Sequence, residues 1–215
     1  FEKWLTELEP TFGIVKHEKP THFFDGQMVQ THYQLLNTLQ MTYREMEEFL
    51  RPSIEYVELL NKDPAVLRHH IGYPDNDEWY FSNAPLASKN DIVYKLLGLN
   101  ERFCDTKLYA DFKYDLVKAF VKGMKSGHVL VDGNYSTLLG NPIEMLYHSI
   151  GRWDGKSMIG VGQVHSRRFA DGAQLLGSRS PHIAAGNILL TRNVRNALVD
   201  KYFNLTNEIV AVNAI

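Results

Sequence analysis

The sequence predicts an α+β fold, mainly helical over residues 1–126 and β-rich over residues 127–215, and three observations carry that expectation. Between Asp105 and Met124 the residues Leu108, Phe112, Leu116, Ala119 and Phe120 recur at helical spacing, with lysines on the other face. At Thr42 and again at Ser88 a hydroxyl residue precedes a carboxylate by three positions, the pairing that closes a helix N-terminus. After Gly127 the texture changes to short β-like runs separated by glycines.

Taken in order, Thr42 and Glu45 open a helix on which Met46, Phe49 and Leu50 share a face. Pro52 has no backbone N–H, so a break is expected there, with Pro52 as the first residue of a second helix turning Ile54, Val57 and Leu60 inward. Asp63-Pro64 starts another short helix. Residues 72–87 hold two prolines, several Asn and Asp, and the cluster Trp79, Tyr80 and Phe81, which predicts a long loop pinned by its aromatics. Ser88 with Asp91 restarts helix, and the long helix of residues 105–124 ends near Gly127. The β-like runs that follow are His128–Val131, Met158–Val164, Gln174–Leu176, Asn187–Thr191 and Glu208–Val212, interrupted by helices over Pro142–Ile150 and Asn193–Tyr202. Asp132-Gly133-Asn134 and Asn141-Pro142 flank Tyr135–Gly140 and read as turn and cap chemistry, and Asp154-Gly155 as a hairpin signal.

An apolar content of 44% over 215 residues is ample for a core. Basic residues number 23 and acidic residues 25, so a net charge of −2 leaves no global field toward nucleic acid or anionic lipid. The single cysteine, Cys104, excludes an internal disulfide and predicts a reducing, cytoplasmic compartment. No stretch approaches the roughly 18–20 apolar residues that span a bilayer, and no charged-then-apolar leader opens the chain, so membrane partners and export are not expected. A start at Phe1 and an apolar finish over residues 210–215 predict an ordered piece of a longer protein.

Nine histidines raise the possibility of a metal-dependent hydrolase, yet none pairs with another at helical i, i+4 spacing around a glutamate. A Gly-x-Ser-x-Gly elbow is absent, and Cys104 has no histidine near it in sequence. From Met145 to Leu205, eight basic residues (Arg152, Lys156, Arg167, Arg168, Arg179, Arg192, Arg195 and Lys201) face three acidic ones, Asp154, Asp171 and Asp200. Such a local excess suits a phosphate backbone, although a solvated charge face is the commoner reason for an excess of this size.

The segment Arg179-Ser180-Pro181-His182, followed by Gly186-Asn187-Ile188 and closing in residues 209–214, resembles the second catalytic barrel of the two-barrel RNA polymerases. That superfamily joins the β′ subunit of cellular polymerases, the RNA-dependent RNA polymerases of gene silencing, and bacterial and prophage relatives. Residues 15–21, 33–39, 133–135 and 140–142 are similar to segments of the bacterial relatives. The resemblance implies a barrel-like β part and a parent nucleotidyltransferase acting on nucleic acid and nucleoside triphosphates. There magnesium ions would activate the primer 3′ hydroxyl and stabilise the leaving pyrophosphate.

In the superfamily an Arg-x-Pro segment and a glycine-containing strand lead into a strand that ends at a magnesium-binding aspartate cluster. Arg179 is the residue carried over most directly, because a guanidinium fork on a barrel loop suits a ribose or phosphate. His182 and Asn187 carry over as further nucleotide contacts, and Lys16 and Lys19 as phosphate-facing lysines. His182 follows Pro181 directly, whereas the β′ pattern places its histidine a few residues further on. Asp171 and Asp200 do not form an Asp-x-Asp-x-Asp set, so this chain is expected to hold no cofactor and to polymerise nothing alone, magnesium belonging to the full-length protein. The competing expectation is a non-catalytic nucleic-acid-binding or assembly module.

Overall fold

The computed structural model describes residues 23–24, 26–72, 86, 88–181, 187–202, 207 and 209–213. Its order is β1 (Met28–Gln30), α1 (Tyr33–Thr38), α2 (Tyr43–Lys62), α3 (Pro64–Ile71), α4 (Lys89–Leu99), a 3₁₀ turn (Glu101–Asp105), α5 (Lys107–Lys125), β2 (Leu130–Asp132), β3 (Thr137–Gly140), α6 (Pro142–Ser149), β4 (Gln163–His165), β5 (Gln174–Ser178), β6 (Ile188–Asn193), α7 (Ala197–Tyr202) and β7 (Ile209–Val212). The chain is α+β, with helices in the N-terminal part and a sheet curled into a half-barrel in the C-terminal part.

Local chemistry sets the helix ends. Thr42 and Glu45 form the capping box of α2, and Ser88 and Asp91 that of α4. Asp63 caps α3 with Pro64 as its first residue, and Asn141 caps α6 with Pro142 in the same place. At the end of α5 the His128 N–H reaches the Gly123 carbonyl and the Gly127 N–H the Met124 carbonyl, a Schellman closure. Gly127 supplies its φ of +90°, and a Cβ there would lie 3.1 Å from the Tyr33 backbone, so glycine is required twice over.

Pro52 does not break its helix: α2 runs unbroken through it. The proline removes one backbone hydrogen bond, and the buried residues Ser53, Tyr56 and Leu60 immediately beyond it hold the helix against α5 and β2. Ile54 accordingly points outward at 47% exposure, whereas Val57 and Leu60 pack inward as expected. On α5, Tyr109 and Phe120 are buried while Leu108 is exposed, because periodicity identifies a face but not what covers it. The run expected from Met158 shrinks to Gln163–His165: the Gln163 side chain accepts from the Gly160 N–H, and Gly162 takes φ +72°, which makes a turn of residues 158–162. The last helix starts at Ala197 rather than Asn193, since Asn193 still belongs to β6. The loop expected over residues 72–87 lies almost wholly outside the described residues. Helix α1 and strand β1 had no sequence signal.

Two cores result. Phe23, Tyr56, Leu60, Leu67, Val93, Leu97, Phe103, Tyr109, Phe120 and Leu130 form the first, so β2 packs with the helices. Leu60 and Leu67 are wholly buried, and each contributes about 1.5–3 kcal/mol of transfer free energy. Burial also pushes the Tyr56 hydroxyl far above its ordinary range, while its oxygen stays 3.0 Å from His70 Nδ1. Ile143, Ile159, Val199 and Ala211 form the second core, beneath the five-stranded sheet. That sheet has the order β3-β7-β4-β6-β5. Strand β7 pairs parallel with β3 and antiparallel with β4, while β6 pairs parallel with β4 and antiparallel with β5. No helix among the described residues is long and apolar enough to cross a membrane.

Candidate functional site

Register places the Arg179 segment. Val212 of β7 is level with Val164, Gln163 is level with Arg192, and Arg192 faces Gln174 across the β5–β6 hairpin. The pairing senses make β5 run in the same direction as β7. The hairpin therefore overhangs the C-terminal end of β7 by about five residue positions, roughly 17 Å of extended strand. At its tip the Arg179 N–H donates to the Asn187 carbonyl at 2.8 Å, and the Asn187 amide donates back to the Pro181 carbonyl. Arg179 and Asn187 are thus brought together, Asn187 as the clamp of the loop that presents Arg179. His182, Lys16 and Lys19 lie outside the described residues.

The Arg179 side chain is exposed and has no partner among the described residues, which leaves all of its guanidinium donors available. Two other arginines of the β part, Arg168 and Arg195, are committed internally. Arg168 donates from Nη2 to Asp132 Oδ1 and to the Gln27 carbonyl, both at 2.8 Å, fastening the sheet domain to the β1–β2 ribbon. Arg195 holds Asp200 Oδ2 through Nε and Nη2, both at 3.0 Å.

Beneath the hairpin lies a polar scaffold that sequence reading missed. Asn193, wholly buried, donates from Nδ2 to the carbonyls of Ser166, Phe169 and Ala170 at 3.1, 2.8 and 3.0 Å. Its Oδ1 accepts from the Ser166 N–H at 2.8 Å, so one side chain organises the whole 166–170 loop. Next to it His165 is also buried. Its Nδ1 lies 2.8 Å from the Val194 carbonyl, which can only accept, so that nitrogen carries a proton. Its Nε2 stands 3.2 Å from Asp200 Oδ1, where β4 meets α7.

Asp171 accepts the Arg195 N–H at 2.8 Å, so both aspartates of this region serve to hold a loop and a helix. Buried Glu144 is likewise engaged: its Oε1 accepts from Ser157 Oγ at 2.9 Å and from the Met158 N–H, anchoring the 157–159 segment to α6. Among the described residues no three His, Cys, Asp or Glu side chains converge as a metal would need. The described part of the chain offers exposed arginine donors on a sheet and no group of three His, Cys, Asp or Glu side chains placed to hold a metal ion.

Neither a family model, nor a curated protein, nor a solved structure matches this chain.

Proposed function

We propose that the chain is part of a two-barrel RNA polymerase-like nucleotidyltransferase of the cytoplasm, contributing barrel scaffold and the arginine that contacts the nucleotide. The observation that carries this reading is the placement of Arg179. It stands unpartnered on a clamped loop, on the side of the half-barrel toward which β7 runs, the strand whose counterpart in that superfamily leads into the metal-binding aspartates. A guanidinium there offers paired donors to a ribose hydroxyl or a phosphate of the incoming nucleotide. Asn187 holds the 179–181 segment through its hydrogen bond to Pro181, and His182, Lys16 and Lys19 add contacts to the nucleotide or the nucleic-acid backbone. Magnesium belongs to the continuation of β7, and no step through it is assigned to the residues described. The full-length protein would take nucleic acid and nucleoside triphosphates as partners. The test is the coding sequence beyond Ile215: an Asp-x-Asp-x-Asp cluster directly after β7 supports the reading, and an unrelated linker or a stop codon removes it.

A second reading, a non-catalytic nucleic-acid-binding or assembly module, draws support from the local excess of basic residues between Met145 and Leu205. It predicts nucleic-acid binding that weakens steeply with salt and shows no dependence on nucleotides, whereas salt-insensitive binding counts against it.

A further inference from the structure

At the base of the β5–β6 hairpin, far from its tip, Gln174 and Arg192 sit directly opposite each other. Both are exposed, and neither side chain has a partner among the described residues. They open on a recess of about 490 Å³ whose remaining walls are Gly162, Gly172, Leu190 and Thr191. That volume lies within the range of sites for small organic ligands. The walls are fixed by the backbone: the Arg192 N–H donates to the Gly162 carbonyl at 3.0 Å and the Gly172 N–H to the Asn193 carbonyl at 2.8 Å. Gly172, at φ +77°, is bare where the guanidinium crosses it, and a Cβ there would stand 3.3 Å from Arg192 Nη2.

The donor set selects the ligand. The Arg192 guanidinium offers paired N–H donors to the oxygens of an anion. Gln174, directly opposite Arg192 on the neighbouring strand, adds a carboxamide donor, and the terminal oxygens of a phosphate ester can accept from both. Leu190 and its cross-strand neighbour Leu176, both more than half exposed, provide an apolar surface for the organic part of such a molecule. We infer that the Gln174–Arg192 recess binds a phosphate ester of mononucleotide size. None of its residues is among those carried over as nucleotide contacts, so the site is argued independently of that proposal.

The test is isothermal titration of the 215-residue chain with uridine monophosphate, with uridine as the control ligand. Saturable binding of one monophosphate is expected, with Arg192→Gln and Gln174→Ala each raising Kd about tenfold or more and uridine binding no better than those variants manage. Both recess residues are exposed, and circular dichroism checks that the variants fold; if Arg192→Gln does not, Gln174→Ala decides. Unaltered binding by the folded variant, uridine binding as tightly as its monophosphate, or binding of polynucleotide alone would overturn the inference.

Discussion

Replacing Asn193 by alanine should be among the most damaging single changes in the β part. The amide makes four hydrogen bonds within a fully buried site, three from Nδ2 to carbonyls and one from the Ser166 N–H to Oδ1. Because an NH₂ group has two hydrogens, the three carbonyls share two full bonds, and truncation removes about three bonds in all. Each buried group left without a partner costs about 1–3 kcal/mol, and water entering the relaxed 166–170 loop recovers part of it, so a net loss of about 3–5 kcal/mol is expected. That is a large fraction of the 5–15 kcal/mol typical of a folded domain. Urea unfolding followed by circular dichroism, with linear extrapolation, measures it. Asn193→Asp should cost at least as much, since it sets a carboxylate against three carbonyl oxygens. A loss below about 1 kcal/mol for Asn193→Ala would refute the view that this side chain organises the loop.

Further expectations follow from the helices. Because α2 is continuous across Pro52, Pro52→Ala should raise stability by about 1–3 kcal/mol in the same unfolding assay, and a loss would mean that the proline is locally required. In the α2 capping box, hydrogen bonding to Thr42 holds the Glu45 carboxyl below its ordinary value of 4.5. A lowered carboxylate stabilises the fold above that value and loses its contribution as the pH falls through the lower folded value. The stability gap between the wild type and Glu45→Gln should therefore be full at pH 7 and close in acid, and a gap that persists unchanged in strong acid would contradict it. Burial, reinforced by Asp105, pushes the Cys104 thiol above its ordinary range. At mildly alkaline pH its reaction with a disulfide reagent should be slower in the native chain than in urea, and equal rates would remove that assignment.

What was legible in the sequence was local. Thr42 with Glu45, Ser88 with Asp91, and Asn141 with Pro142 act on neighbours three residues away or fewer, so the cap is written where it forms. Pro52 misled because its effect is decided by distant packing: Ser53 accepts the Leu130 N–H at 2.8 Å, a contact across 77 positions that holds the helix through the proline. The Arg179 loop was found through its Arg-x-Pro motif, whereas its placement relative to β7 required the register of four strands. Asn193 and His165 gave no sequence signal, since their partners lie 23 to 29 residues away and meet them through sheet pairing. The opposition of Gln174 and Arg192 is likewise a product of register.

The most direct test of the polymerase reading is template-directed nucleotide incorporation by the full-length protein and its Arg179→Ala variant. Arg179 is exposed and its side chain supports nothing else among the described residues, so the variant should fold and keep its thermal midpoint. The predicted result is incorporation by the wild type and its loss or severe reduction in the folded variant. Incorporation by the variant at the wild-type rate, or none by the wild-type protein with magnesium and all four nucleotides, would contradict it.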